Sequence, residues 1–152
     1  MIISKCTEKD ISILAELNHQ LIEDEKSTNT MLVSELEERM LQFIRTAYSA
    51  YLFVDETNKK VIGYALINCS QSPLYLRQFF ISRDNRRNHL GTTAFEKLIA
   101  MLKTSCIEVD VLSWNLSGRK FWESLGFVPV ESSYTESQTG DAAYHIRLRW
   151  TT

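Results

Sequence analysis

One crossover constrains this chain more than any other feature of its sequence. An apolar run from Leu74 to Ile81 leads into a loop carrying Arg83, Arg86 and Arg87. Leu90 and Gly91 then open a helix that runs to about Lys103, with Leu90, Ala94, Leu98 and Met101 or Leu102 along one face. A second apolar run, Ile107 to Leu112, follows. Strands joined by a helix lie parallel, because a tight turn can only return the chain antiparallel. Upstream, Ser49 to Val54 and Val61 to Asn68 flank the turn-forming stretch Asp55-Glu56-Thr57-Asn58-Lys59-Lys60 and read as an antiparallel hairpin, with Pro73 starting the third strand of the meander. The sheet therefore changes from antiparallel to parallel at the basic loop, and such points are where ligands tend to sit. The loop also ends at a helix N-terminus, where free backbone N–H groups favour an anion, although it holds one glycine where phosphate-binding loops use two or three.

The remaining segments complete a single pattern. Ile2 to Cys6 reads as a short strand, and Thr7 with Asp10 as a near capping box. Ile11, Leu14, Ala15, Leu17, Leu21 and Ile22 mark a helix that ends in the acidic run Glu23-Asp24-Glu25. After the polar linker Ser27-Thr28-Asn29-Thr30, a second helix from about Leu32 to Arg45 buries Leu36, Met40, Phe43 and Ile44, so the two form a hairpin that must lie on a flat surface. Gly63, inside a strand, marks a bulge or a close approach by another group. In the strand Ile107 to Leu112, Val109 and Val111 face one side, Glu108 and Asp110 the other. Asn115 caps a short helix with Phe121, Trp122 and Leu125, which Gly126 stops. Phe127 to Glu131 is expected as a strand, Ser132 to Gly140 as a polar turn and Asp141 to Trp150 as the last strand. The order βααβββαβαββ is α+β, a three-layer α/β arrangement on a mixed, mostly antiparallel sheet of six to seven strands, with residues 1–152 expected as one domain.

Bulk properties exclude several function classes. A formal charge of −2 makes nucleic acid an improbable main partner, so the basic loop is a local feature. No apolar run approaches the ~20 residues of a membrane span, and Met1-Ile-Ile-Ser-Lys lacks a signal-peptide layout. Cys6, Cys69 and Cys106 are isolated among strand-like residues and read as buried reduced thiols, and the expected location is cytoplasmic. No metal site is expected.

Two stretches carry a family resemblance. Arg86-Arg87-Asn88-His89-Leu90-Gly91, five residues after Ile81, resembles the pyrophosphate loop of the GNAT superfamily of N-acetyltransferases, Q/R-x-x-G-x-G/A, with His89 in place of the first glycine. Asn115-Leu-Ser-Gly-Arg-Lys-Phe121-Trp122-Glu-Ser-Leu125-Gly126-Phe127 looks like that family's later motif, N-x-x-(A/G)-x-x-F-(Y/W)-x-x-x-G-F. The resemblance implies an acetyl-CoA-dependent acetyltransferase whose strand ending at Ile81 splays from the strand Ile107 to Leu112. Pantetheine would lie along the backbone of Phe79, Phe80 and Ile81, near Asn115 and Trp122. The pyrophosphate would take N–H groups from about Arg87 to Thr92, through Asn88, His89, Leu90 and Gly91, with charge from Arg86, Arg87 and Arg83. His89 itself reads either as a tolerated first-turn helix residue or as a phosphate-facing group; its Cβ demands a φ that glycine would supply freely.

Acetyl transfer to an amine needs a base for the ammonium, a donor to the carbonyl and an acid for the leaving thiolate. The resemblance puts the carbonyl donor on the backbone near Phe79 or Phe80. Trp122 stands where the family often has an acidic tyrosine, and an indole N–H is no proton donor near neutral pH. Water or a tyrosine from another strand is left for that role. Glu23, Asp24 and Glu25 are the candidate base and acceptor region, ahead of Glu108, Asp110 and His145; read blandly, the run is a solvated helix end. The acceptor is expected to be the amine of a small molecule or peptide, attacked directly in a ternary complex by a monomer or homodimer. The alternative is a GNAT-fold sensor or interaction module that binds acyl-CoA and catalyses little.

Overall fold

The computed structural model describes residues 1–136 and 142–152. Strand β1 (Ile2–Lys5) leads into Thr7, which caps a 3-10 turn at Glu8–Asp10. The Lys9 N–H donates to Thr7 Oγ1 at 3.3 Å and the Thr7 N–H donates to Asp10 Oδ2 at 2.9 Å, the reciprocal capping box expected from the sequence. Helices α1 (Ile11–Asp24) and α2 (Val33–Arg45) follow, then the meander β2 (Tyr48–Val54), β3 (Val61–Asn68) and β4 (Leu74–Ile81). A 3-10 segment (Arg83–Asn88), α3 (Leu90–Leu102) and β5 (Cys106–Leu112) form the crossover. The chain closes with α4 (Leu116–Ser124), β6 (Val128–Glu136) and β7 (Ala142–Thr151).

All seven strands join one sheet in the order β1-β2-β3-β4-β5-β7-β6. Its pairs are antiparallel except β4–β5, which is parallel as the crossover requires. The sheet separates two apolar layers. On one face Leu14, Leu17 and Met40 of the helical hairpin meet Leu52, Tyr64, Leu66 and Phe80. On the other, Phe95 and Leu98 of α3 and Trp122 of α4 meet Phe53, Ile67, Ile107, Val109 and Val111. Burial on both faces explains why the central strands read as nearly continuous apolar runs.

The C-terminal hairpin differs from expectation. Ser132 to Glu136 continue strand β6, paired with β7 from Ser132–Ile146 to Glu136–Ala142, rather than forming a turn. β6 lies at the edge of the sheet, where hydrogen bonds to one neighbour suffice and polar side chains do not forbid pairing. The expected turn residues 137–140, and Asp141 as the start of the last strand, lie outside the described residues. The cysteines also depart from the expectation of three buried thiols. Cys6 is buried and burial, with the nearby Asp10 charge, pushes its thiol up to about 12. Cys106 is half-buried, whereas Cys69 is exposed because β3 ends at Asn68 and leaves it outside the sheet.

Gly63 pairs with Ile81, and a Cβ placed on it would collide with the Phe80 carbonyl oxygen and lie 3.1 Å from Ile81 Cα. The obstacle is backbone, which cannot swing aside as a side chain would. Gly63→Val is therefore expected to destabilise the fold by about 1–3 kcal/mol, as overpacking does. The denaturation midpoint should fall accordingly; an unchanged midpoint would show that β4 yields freely at this pair.

Candidate active site

The parallel strands part almost as soon as they meet. β4 and β5 pair only at Leu74–Ile107 and Tyr75–Glu108. Immediately beyond, β4 carries a bulge: Ile67 faces Leu76 and Leu66 faces Gln78, leaving Arg77 as the extra residue. The backbone of β4 from Leu76 to Ile81 thus has a partner strand on the β3 side alone. A cavity of about 430 Å³ lies in the gap, bounded by β4 at Phe79, Phe80 and Ile81, by β5 at Val109 and Val111 and by α4 at Phe121 and Trp122. Trp122 is held in an aromatic cluster, with ring centroids 5.2 Å from Phe79, 5.9 Å from Phe95 and 5.0 Å from Phe127. Asn115, which lines the same cavity, accepts the Gly118 N–H at 3.1 Å as the cap of α4. Gly118 is needed there, since a Cβ would lie 2.5 Å from Asn115 Nδ2.

One end of the cavity is the start of α3, lined by His89, Gly91 and Thr92. The first N–H groups of a helix have no intrahelical acceptor, and those of Leu90, Gly91 and Thr92 occupy these positions. Gly91 lets the first turn approach α4, for a Cβ would lie 3.0 and 3.2 Å from two atoms of the Phe121 ring. His89 is the N-cap of α3, not a first-turn residue, and sits in the left-handed region at φ 54° and ψ 29°. The family's loop glycine answers this backbone requirement, which costs an L-residue roughly 1–2 kcal/mol. Asn88 is exposed at the end of the 3-10 segment. Arg87 lies within the same segment, and its side chain lies outside the described ones.

Arg86 turns away from the helix end. Its Nε donates to the Ile81 carbonyl at 2.9 Å, and its two terminal nitrogens donate to Asp24 at 3.1 and 2.8 Å. Arg83 reaches the same carboxylate at 3.1 Å. Burial works against the charge on Asp24, but the hydrogen bonds and charges of Arg86 and Arg83 outweigh it and hold the carboxyl below its usual range. Of the acidic run, Asp24 and Glu25 line the cavity, while Glu23 lies exposed beside His19 at 3.4 Å. The Trp114 indole N–H donates to the Glu25 carbonyl at 3.0 Å, tying the loop before α4 to the end of α1. Asp110 also lines the cavity; it accepts Arg147 through both oxygens at 2.9 Å and the Tyr75 hydroxyl at 3.0 Å. Burial first, and the Asp110 charge next, raise the Tyr75 phenol well above its ordinary value. Glu108 is buried against Arg149 at 2.7 Å, and His145 is buried on β7 opposite Leu112. The described residues contain no cluster of three metal-ligating side chains. The Asp24–Arg86 and Tyr75–Asp110–Arg147 contacts join residues 35 to 62 positions apart, and no local pattern in the sequence announces them.

The Acetyltransferase (GNAT) family matches residues 17–127. The chain belongs to this family. Its fold is similar to that of an acetyltransferase from Thermus thermophilus, at a TM-score of 0.78 and 18% identity over 99% of this chain and 96% of the other. A ribosomal-protein-S18-alanine N-acetyltransferase from Escherichia coli superposes at 0.75 with 17% identity over 99% and 92%. A variant of the spermidine N-acetyltransferase from Vibrio cholerae superposes at 0.73, also at 17% identity over 99% and 92%. No curated protein sequence matches. At these identities the likeness shows the fold, and the chain is an N-acetyltransferase by family; GNAT proteins use acetyl-CoA and acetylate small-molecule or protein amines. No helix among the described residues is long and apolar enough to cross a membrane.

Asp24 yields a prediction whose sign follows from its depressed pKa. The stability contributed by its pairing is present above the unfolded carboxyl value, about pH 4, and is lost as pH falls through the lower folded value. Asp24→Asn should therefore be less stable than wild type at neutral pH, with the gap closing as pH falls below the ordinary carboxyl value of about 4. Urea midpoints at several pH values measure this, and a gap independent of pH would mean that the arginines do not stabilise the charge.

Proposed function

We propose that the chain, acting as one domain over residues 1–152, binds acetyl-CoA in the β4–β5 wedge and transfers the acetyl group directly to an amine in a ternary complex. The carrying observation is the unpaired edge of β4 running to the free N–H groups of α3. When bound, acetyl-CoA supplies an acetyl group activated as a thioester. The β4 backbone from Phe79 to Ile81 offers hydrogen bonds to an extended pantetheine arm, as an added strand would, and an N–H near Phe79 or Phe80 is the donor for the carbonyl. The N–H groups of Leu90, Gly91 and Thr92, with those of Arg87, Asn88 and His89, hold the pyrophosphate; each such contact is worth about 0.3–1 kcal/mol when exposed, so several are needed. Asn115 and Trp122 shape the wall beside the arm.

The side chains divide the proton chemistry unequally. Asp24, held charged by two arginines, is a weak base and acts mainly to position α1 against the loop. Glu25 is the member of the acidic run placed to relay the ammonium proton through water. Trp122 donates no proton to the leaving thiol, and Tyr75 and Tyr64 already donate to Asp110 and Gln78, so water in the open cavity takes that role. The same observations favour one second reading, a GNAT-fold module that binds acyl-CoA with little turnover.

Acetyl-CoA at ~100 times its Kd should raise the unfolding free energy by about 2.7 kcal/mol, and no thermal shift at millimolar concentration would end the cofactor claim. Gly91→Val, which must displace Phe121, should weaken this binding more than Arg83→Ala, whose side chain is 80% exposed. The reverse order would mean that the pyrophosphate sits elsewhere. Thiol release across a panel of amines then separates enzyme from sensor. Within that assay Trp122→Phe should keep turnover within a few-fold, and a large loss at unchanged binding would give the indole a chemical part.

A further inference from the structure

The face of the wedge opposite α4 contains a cation that the reaction described above does not use. The lining carboxylates Asp24 and Asp110 hold arginines, Arg86 on the first and Arg147 on the second. Arg77 differs. It is the bulged residue of β4, and the bulge places it on the side of the sheet covered by α2. Its guanidinium lies 4.7 Å above the Phe43 ring and 5.9 Å from that of Tyr48, with no ion pair to it among the described residues. Its Nε is buried and has no hydrogen-bond partner among the described residues. The Arg39 guanidinium lies 5.5 Å from the same Phe43 ring, so two positive groups share one aromatic platform. Leaving a buried donor of a charged group unsatisfied is costly, and the cost is recovered when an acceptor arrives. Arg77 also lines the cavity, two residues before Phe79.

We infer that Arg77 is an acceptor-recognition residue, and that the amine substrate carries a carboxylate which Arg77 binds. The inference rests on the proposed acetyl transfer and names its substrate class. The planar fork of arginine matches a carboxylate, and the Phe43 and Tyr48 rings hold the fork in place before the substrate enters. Two carboxylates of the lining are already engaged: Asp110 accepts Arg147 and the Tyr75 hydroxyl, and Asp24 accepts Arg86 and Arg83. Arg77 and Phe79 both line the cavity, two positions apart on β4. The substrate class that fits is a small amine carrying a carboxylate, such as an amino acid or a short peptide. A polyamine, cationic throughout, would meet Arg77 with like charge.

The test uses the full chain with acetyl-CoA and matched acceptors that differ only in charge: β-alanine and glycylglycine against their amides, with spermidine as the cationic comparison. Free-thiol release should favour each carboxylate over its amide. Arg77→Gln should reduce kcat/KM for the carboxylates roughly 10- to 100-fold, the range of a charge-assisted hydrogen bond, mainly through KM. The amides should change less than about three-fold on the same scale. Arg77→Lys, which keeps the charge and loses the fork, should restore part of the preference. Equal or better turnover of amides or spermidine by the wild type would overturn the inference and leave acetyl transfer standing, as would an equal loss for both members of a pair in Arg77→Gln. Should no amine release thiol, the same pairs are compared as ligands by thermal shift with CoA present. Tighter binding of the carboxylate member, lost in Arg77→Gln, sustains the inference without turnover; equal binding of both members sinks it.

Discussion

The site depends on a sheet that comes apart. Two residue pairs hold β4 to β5, and the strands then separate with backbone groups of β4 left facing the gap. The extra residue Arg77 bends β4 at the point of separation, while Phe121 and Trp122 enter from one side and stack near Phe79 at 5.9 and 5.2 Å. On the β5 side, Asp110 is tied to Arg147 of β7, so that β5 follows its antiparallel neighbour rather than β4. A closed sheet would satisfy the same groups internally and leave nothing for a ligand to pair with. Unpaired backbone in a sheet interior is costly unless something fills its bonding capacity.

Around this gap, tertiary contacts set the electrostatics more than composition does. The chain carries a formal charge of −2, yet Arg83 and Arg86 of the loop and Arg147, beside the lining residue Asp110, are spent on internal carboxylates. Arg86 is the instructive case. Its place in the loop motif suggests a phosphate ligand, whereas its guanidinium bridges the Ile81 carbonyl and Asp24 and so fastens the end of α1 to the loop. The basic loop and the end of α1 are thereby parts of one hydrogen-bonded unit.

Much of the fold was legible because its signals are local. The capping box at Thr7, the stop at Gly126 with φ 101°, and the alternation of Val109 and Val111 against Glu108 and Asp110 each depend on residues a few positions apart. The crossover required a parallel pair, and Gly63 marked a bulge or a close approach: the Phe80 carbonyl lies against it, and the register with β2 shifts beside it. The structure departs from the sequence pattern where that pattern carries no periodic signal. Ser132 to Glu136 look like a turn but pair as an edge strand, and Cys69 looks like a strand residue but lies just past the end of one. His89 looked like a helix residue, although its left-handed backbone is set by how the 3-10 segment must meet α3.

By itself, then, the sequence determined the order of elements, the parallel crossover and the two motifs that mark the family, since caps, periodicity and glycine positions act over a turn or a few strand residues. Only the tertiary structure decided what the charged side chains do. Asp24 finds Arg86 across 62 positions, Tyr75 finds Asp110 across 35, and Arg77 finds an aromatic platform on another element. Such pairings depend on which faces the packed layers bring together, and a charge in a linear chain does not reveal whether folding will give it a partner or leave one of its donors buried and unmatched.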